Sequence, residues 1–144
     1  MFHDREEDFK TESRSYSYII KGDPLGWCGF KENPTSTMWD TYKQTALHFS
    51  IALEGQHGSK DKLYGLLSLE ASFYFAPSKD YYRKKLKAGN KYYSIKPDTS
   101  NLLEFIEKSC SGVIFHPDSV IISMSALRFN GKESRTEFTF KEMK

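Results

Sequence analysis

Leu67, Leu69, Ala71, Phe73 and Phe75 alternate with Ser68, Glu70, Ser72 and Tyr74, the period of two required of a strand with one buried face. Pro77 ends that run. Upstream, Met38, Trp39, Tyr42, Ala46, Phe49, Ile51 and Leu53 recur near helical spacing, which predicts a helix from Thr37 to about Leu53 with these residues inward. Earlier still, SYSYIIK (Ser15 to Lys21) followed by Gly22-Asp23-Pro24 predicts a strand closed by a turn. Trp27 and Phe30 are the large apolar groups of the next loop and, with Trp39, are expected as core anchors. Leu102, Phe105, Ile106 and the Ser109/Cys110 pair form the inward stripe of a short helix, and Gly112 is placed to be its C′ residue. Two strands close the chain: SVIISMSALRF, with Val120, Ile122, Met124 and Ala126 on one face, and SRTEFTF, with Thr136, Phe138 and Phe140. Asn130-Gly131 between them is a hairpin signal. Strands and helices mix without regular βαβ alternation, so the fold class is α+β.

The 144 residues fit one domain that can bury a core without disulfides. Residues 1–14 are charged and lack apolar periodicity, so they are expected to form a flexible arm ahead of a domain spanning 15–144. Net charge is +2, from 21 basic and 19 acidic residues, so a basic surface has to be local. One such stretch exists: Arg83, Lys84, Lys85, Lys87 and Lys91 interleave with Tyr81, Tyr82, Tyr92 and Tyr93. Phosphate-neutralising lysines with stacking aromatics suit nucleic acid, and a solvated charged helix has the same composition. Cys28 and Cys110 fall in no CxxC pattern and the four histidines are scattered, which argues against a zinc centre and for reduced thiols. No apolar span of membrane length is present, and a cytoplasmic protein is expected.

The stretch KPDTSNLLEFIEKSCSGVIFHPDSVII holds two aspartates that frame the second helix. Asp98 stands at an N-cap position and Asp118 follows a proline, so the pair reads either as cap and turn or as two ligands of one metal.

The order of these pieces resembles the RusA family of Holliday-junction resolvases, small endonucleases common in phages and prophages. The resemblance runs over about residues 16–140, through Gly22-Asp23-Pro24, SLEASFYFAPSK, KPDxxNLL, Gly112, Asp118-Ser119 and SRTEF. It implies a homodimer built on a mixed β-sheet flanked by helices, acting on four-way DNA junctions with an acidic cluster that binds Mg²⁺, or Mn²⁺ in its place. Family motifs read Lys-Pro-Asp-x-Asp-Asn-Leu, with a lysine three residues after the Asn, and Asp-Asp.

Carried over by position, Asp98 and Asp118 are the metal ligands and Asn101 is the motif asparagine. Ser100 stands where the family has its second acid, Glu104 where it has the lysine, and Pro117 where it has the first member of the acidic pair. The Arg-rich segment that often follows the family's first strand is absent. Glu104 lies one helical turn after Ser100 and leans toward it, which makes it a candidate replacement for the lost carboxylate; Ser100 is an auxiliary metal ligand in this scheme. Arg83, Lys84, Lys85, Lys87, Lys91 and Lys96 are the expected DNA contacts. Two functions follow: a Mg²⁺-dependent junction-resolving endonuclease, or a degenerate relative that binds branched DNA or inhibits a protein partner without cutting.

Overall fold

The computed structural model describes residues 13–27, 36–76, 92, 94 and 97–143, the side chains of 36–39 excepted. Its elements are β1 (Ser15–Lys21), α1 (Ser36–His57), β2 (Leu66–Phe75), α2 (Thr99–Cys110), β3 (Val120–Asn130) and β4 (Arg135–Glu142). They form one α+β domain with a four-stranded mixed sheet in the order β1-β4-β2-β3. β2 and β3 are parallel, joined by a crossover that contains α2, and β4 runs antiparallel to both β1 and β2.

Alternation decides what the sheet buries. Leu67, Leu69, Ala71, Phe73 and Phe75 of β2, Phe138 and Phe140 of β4 and Tyr18 and Ile20 of β1 all point to the helical side. Against them lie Phe49 and Leu53 of α1 and Leu102, Phe105, Ile106 and Cys110 of α2. The inward stripe of α1 runs Tyr42, Ala46, Phe49, Leu53, His57, at steps of four and three. Ile51 does not join it and is 61% exposed, because a step of two from Phe49 is about 200° around a helix. Trp27 packs partly buried against this core, as expected; Phe30 and the Trp39 side chain lie outside the described residues.

Two strand expectations change. Asn130-Gly131 does not make a hairpin, since β3 and β4 are not neighbours. The chain instead crosses the end of β2, where Gly131 N–H donates to Phe75 O at 2.7 Å and Ala76 N–H to Ser134 Oγ at 2.9 Å. Burial outweighs the local turn preference: Thr136, Phe138 and Phe140 are all buried and need a central strand, whereas serine-rich β3 tolerates the edge. Within β3 the register slips at Leu67/Ser68, where Ile122 is left without a partner. Ile121, Met124, Ala126 and Arg128 therefore share the helical side, and Val120 and Ile122 do not continue the expected face.

Arg14, counted with the arm in the sequence, belongs to the folded unit. Its guanidinium and its backbone N–H bind the carboxylate of buried Glu142, and Tyr64 N–H donates to the same group at 3.0 Å. Burial alone would raise the Glu142 carboxyl, but these bonds outweigh it and hold it down at about 2. A depressed acid contributes fully above its unfolded pKa of about 4.3, so this latch loses its contribution, about 3 kcal/mol, as pH falls from about 4.5 to 2. The urea midpoint is expected to drop over that window in wild type and far less in Glu142→Gln. Of the expected arm, residues 1–12 lie outside the described residues.

Candidate active site

Asp98 ends an extended turn and begins α2, with φ −65° and ψ 152°, and its backbone O accepts from Leu102 N–H at 3.1 Å. Its side chain makes no capping hydrogen bond, so the carboxylate is not spent on the helix N–H groups that an N-cap aspartate ordinarily satisfies. Two contacts hold this turn. Arg128, near the end of β3, donates through Nη1 to Pro97 O at 2.7 Å and to Thr99 Oγ1 at 3.3 Å. On the other side Gly26 lies flat against the motif, and Trp27 N–H donates to Asn101 O at 2.9 Å.

A Cβ on Gly26 would stand 2.8 Å from Pro97 Cβ and 3.3 Å from Asn101 Cβ. A proline ring cannot rotate away, so Gly26→Ala is expected to lower stability by about 1–3 kcal/mol and to shift the Asp98 turn. Urea denaturation measures the first effect; an unchanged midpoint would mean that the loop yields freely. Neither Gly26 nor Arg128 stands out in the sequence, because their contacts span 71 and 31 positions along the chain.

Ser100 is exposed and Glu104 half-buried on α2, one turn apart. Gly112 follows the helix with φ 82°, the left-handed C′ position its type favours, and Ser111 closes the last turn by donating to Glu107 O. Asp118 sits in the tight turn before β3. Ser119 N–H donates to His116 O at 2.9 Å, Asp118 N–H to His116 Nδ1 at 3.2 Å, and the Asp118 carboxylate lies 3.6 Å from the same ring nitrogen. Its side chain is otherwise open to solvent. His116, two residues ahead of an aspartate in a turn, is the contact that the sequence reading passed over.

These positions bear on the expectation of one shared metal. The Asp98 turn is tied to Arg128 at one end of β3, and Asp118 precedes Val120 at the other. Eight residues of strand separate those ends, on the order of 25 Å. Carboxylates that share one Mg²⁺ have oxygens about 2.1 Å from it, and the strand's length sets the two turns of one chain well beyond that spacing. Among the described residues no three acids, histidines or cysteines gather into a metal-binding group. Among the described residues, then, the acids of one chain do not gather around a divalent cation.

Arg83, Lys84, Lys85, Lys87, Lys91 and Lys96, the expected DNA contacts, lie outside the described residues. The other reactive types belong to the core. Cys110 is buried and its thiol is pushed up by burial; Cys28 is outside the described residues. His57 is buried with Nδ1 2.7 Å from the Tyr18 hydroxyl, and burial pushes that phenol up to about 12. Among the described residues no helix is long and apolar enough to cross a membrane.

An α+β domain with a motif turn clamped at one end of its crossover helix, and a second acidic turn at the other, is the framework the comparisons complete. The family described as endodeoxyribonuclease RusA matches residues 30–141, most of the chain. The chain belongs to the RusA family, whose members are Holliday-junction-resolving nucleases that bind branched DNA and generally depend on a divalent metal. Comparison with curated proteins gives no match.

Proposed function

We infer that the chain is one subunit of a homodimeric endonuclease that resolves four-way DNA junctions, with each active site shared between two copies. The observation that carries this reading is the separation of Asp98 and Asp118 along an edge strand that no described element covers beyond Tyr92. The sheet's other edge is blocked: the Gln56 side chain receives Ile19 N–H and donates to Ile19 O, as a neighbouring strand would. Among the described residues β3 has no such cover. Beyond the bridge from Tyr92 to Phe129 no described element pairs with its outer side, and Val120, Ile122, Met124 and Leu127 are exposed along it.

Antiparallel apposition of two β3 edges about a two-fold axis near Ser123 sets the Asp118 end of one copy beside the Asp98 end of the other. Each dimer then has two equivalent mixed sites, one for each of two opposed strands of a symmetric junction. Asp98 of one copy and Asp118 of the second would hold Mg²⁺, with Mn²⁺ as a substitute, and Ser100 and Glu104 on α2 are the nearest auxiliaries in sequence. When bound, the ion would activate water and neutralise charge on the scissile phosphate. Asp98 presents its carboxylate at the positive end of α2, where a negative group and a phosphate are both favoured. Arg83, Lys84, Lys85, Lys87, Lys91 and Lys96 would neutralise DNA phosphates, and a phage or prophage setting fits a small resolvase.

The test is cleavage of an end-labelled four-way junction in Mg²⁺ and in Mn²⁺. Paired cuts in opposed strands support the reading, and an intact junction with a folded dimer overturns it. A second reading, a relative that grips junctions without cutting or inhibits a protein, is favoured by Ser100 and Glu104 standing in place of the family's acid and lysine. Salt separates its two forms: a DNA binder loses junction affinity steeply as salt rises, and a protein inhibitor shows no junction affinity to lose.

A further inference from the structure

Both helices lie on one side of the sheet; the opposite face has no described element over it. Across one end of that open face a single cross-strand row reads Lys21, Arg135, Tyr74, Phe129, and Tyr92 continues it by pairing with Phe129. Strands about 4.8 Å apart bring successive side chains of such a row to stacking distance. Tyr92 and Phe129 have ring centroids 5.7 Å apart at 31°, and Phe129 and Tyr74 5.1 Å apart at 22°. The Arg135 guanidinium carbon lies 3.7 Å from the centre of the Tyr74 ring. Glu137 accepts from Arg135 Nε and so fixes the guanidinium plane. The result is a column of four flat groups whose β1 end is a planar cation, with exposed Lys21 in the next position across the sheet.

Beside the row the open face sinks into a trough of about 530 Å³. Small side chains make the room: Ser17, Ser72, Ser125 and Thr139 line it together with the carboxylate side chains Glu70 and Glu137.

We propose that an unpaired nucleobase of the branched DNA completes this column, stacked on the side of Arg135 turned away from Tyr74, with Lys21 meeting its phosphate. The proposal rests on the DNA reading above and adds a base-binding subsite to it. Guanidinium planes and aromatic rings both stack on bases without regard to sequence, and a branch point is where a base leaves its stack at least cost. Among the described residues the charges at this end balance, Lys21, Arg128, Lys132 and Arg135 standing against Asp23, Asp98, Glu133 and Glu137 with Arg135 paired to Glu137, so the base is held by stacking and not by a net positive field. Asp98 is also here, since Arg128, which holds its turn, lies on β3 next to Phe129.

The test crosses a protein variant with a DNA variant. Arg135→Lys keeps the charge and loses the plane; a junction with abasic sites at its branch-point positions keeps the phosphates and loses the bases. Wild type is expected to bind the abasic junction about tenfold more weakly than the intact one, whereas Arg135→Lys binds both equally, at the weaker level, with the slope of log affinity on log salt unchanged. Lys21→Ala is expected to reduce that slope by about one. Equal affinity of wild type for intact and abasic junctions overturns the subsite while leaving junction binding in place, and needs no variant to fold. An abasic penalty retained in full by a folded Arg135→Lys likewise overturns it. Absence of any junction binding by wild type removes the DNA reading and the subsite with it.

Discussion

Asp98→Asn and Asp118→Asn are each expected to lower junction cleavage by about three orders of magnitude, while leaving the fold and the dimer intact. The size follows from what each group would do. Removing one preorganised electrostatic group from a reaction centre costs roughly 3–4 kcal/mol, which is 10²–10³ in rate. Asp98 and Asp118 have exposed side chains, and Asn keeps the size of each, so stability is expected to change by about 1 kcal/mol or less. Groups that act in one site are not additive, so the double variant is expected to lose little more than either single one. A cap-and-turn role would give another pattern: small stability losses, with cleavage preserved. The measurement is single-turnover cleavage of the labelled junction, with urea midpoints taken on the same proteins.

Phe138→Ala is expected to cost 3–5 kcal/mol of stability, the range for deleting a buried aromatic ring. Phe138 is 2% exposed in the central strand β4 and meets Tyr18, Phe49 and Phe140, with centroids 5.4, 6.1 and 6.0 Å away. It joins β1, α1 and β4 in one contact, so the cavity has stiff walls and little to fill it. Against a typical total of 5–15 kcal/mol, this one change removes a large share. Ile51→Ala, at a 61% exposed position of α1 outside the inward stripe, should shift the urea midpoint little. Equal effects of the two would place the core elsewhere than between the sheet and the helices.

Local patterns were legible where burial is one-sided. The alternation of β2, the Leu102-Phe105-Ile106-Cys110 stripe of α2 and the C′ role of Gly112 can all be read from a few consecutive residues, because pleat and helix periods act over that range. Pairing was less legible. Asn130-Gly131 has the chemistry of a hairpin, yet β4 inserts between β1 and β2 because three alternate buried side chains need cover on both flanks. Ile122 could not be assigned to a face from spacing alone, since one unpaired residue in β3 inverts the alternation after it.

The candidate site shows the same limit. Asp98 and Asp118 are 20 positions apart, a spacing compatible with proximity if the chain doubled back after α2. The crossover forbids that: α2 descends the length of the sheet and β3 climbs it again, so the aspartates stay at opposite ends. Arg128 and Gly26, which clamp the motif turn, carry no local signature at all. The departures at Ser100 and Glu104 were legible in the sequence. A Ser100→Asp, Glu104→Lys double substitution restores the family's first motif, Pro117 remaining in the second, and is expected to raise the cleavage rate by tenfold or more.

Mixing subunits tests the shared site most directly. Asp98→Asn and Asp118→Asn proteins, each inactive alone, are unfolded together, refolded as a mixture and assayed on the labelled junction. In a mixed dimer one site carries both substitutions and the other carries none, so the account predicts that strand nicking returns, with about half of the dimers holding one intact site. If the mixture stays as inactive as its parents while refolded wild type cuts, the two aspartates act within one chain and the shared site is wrong.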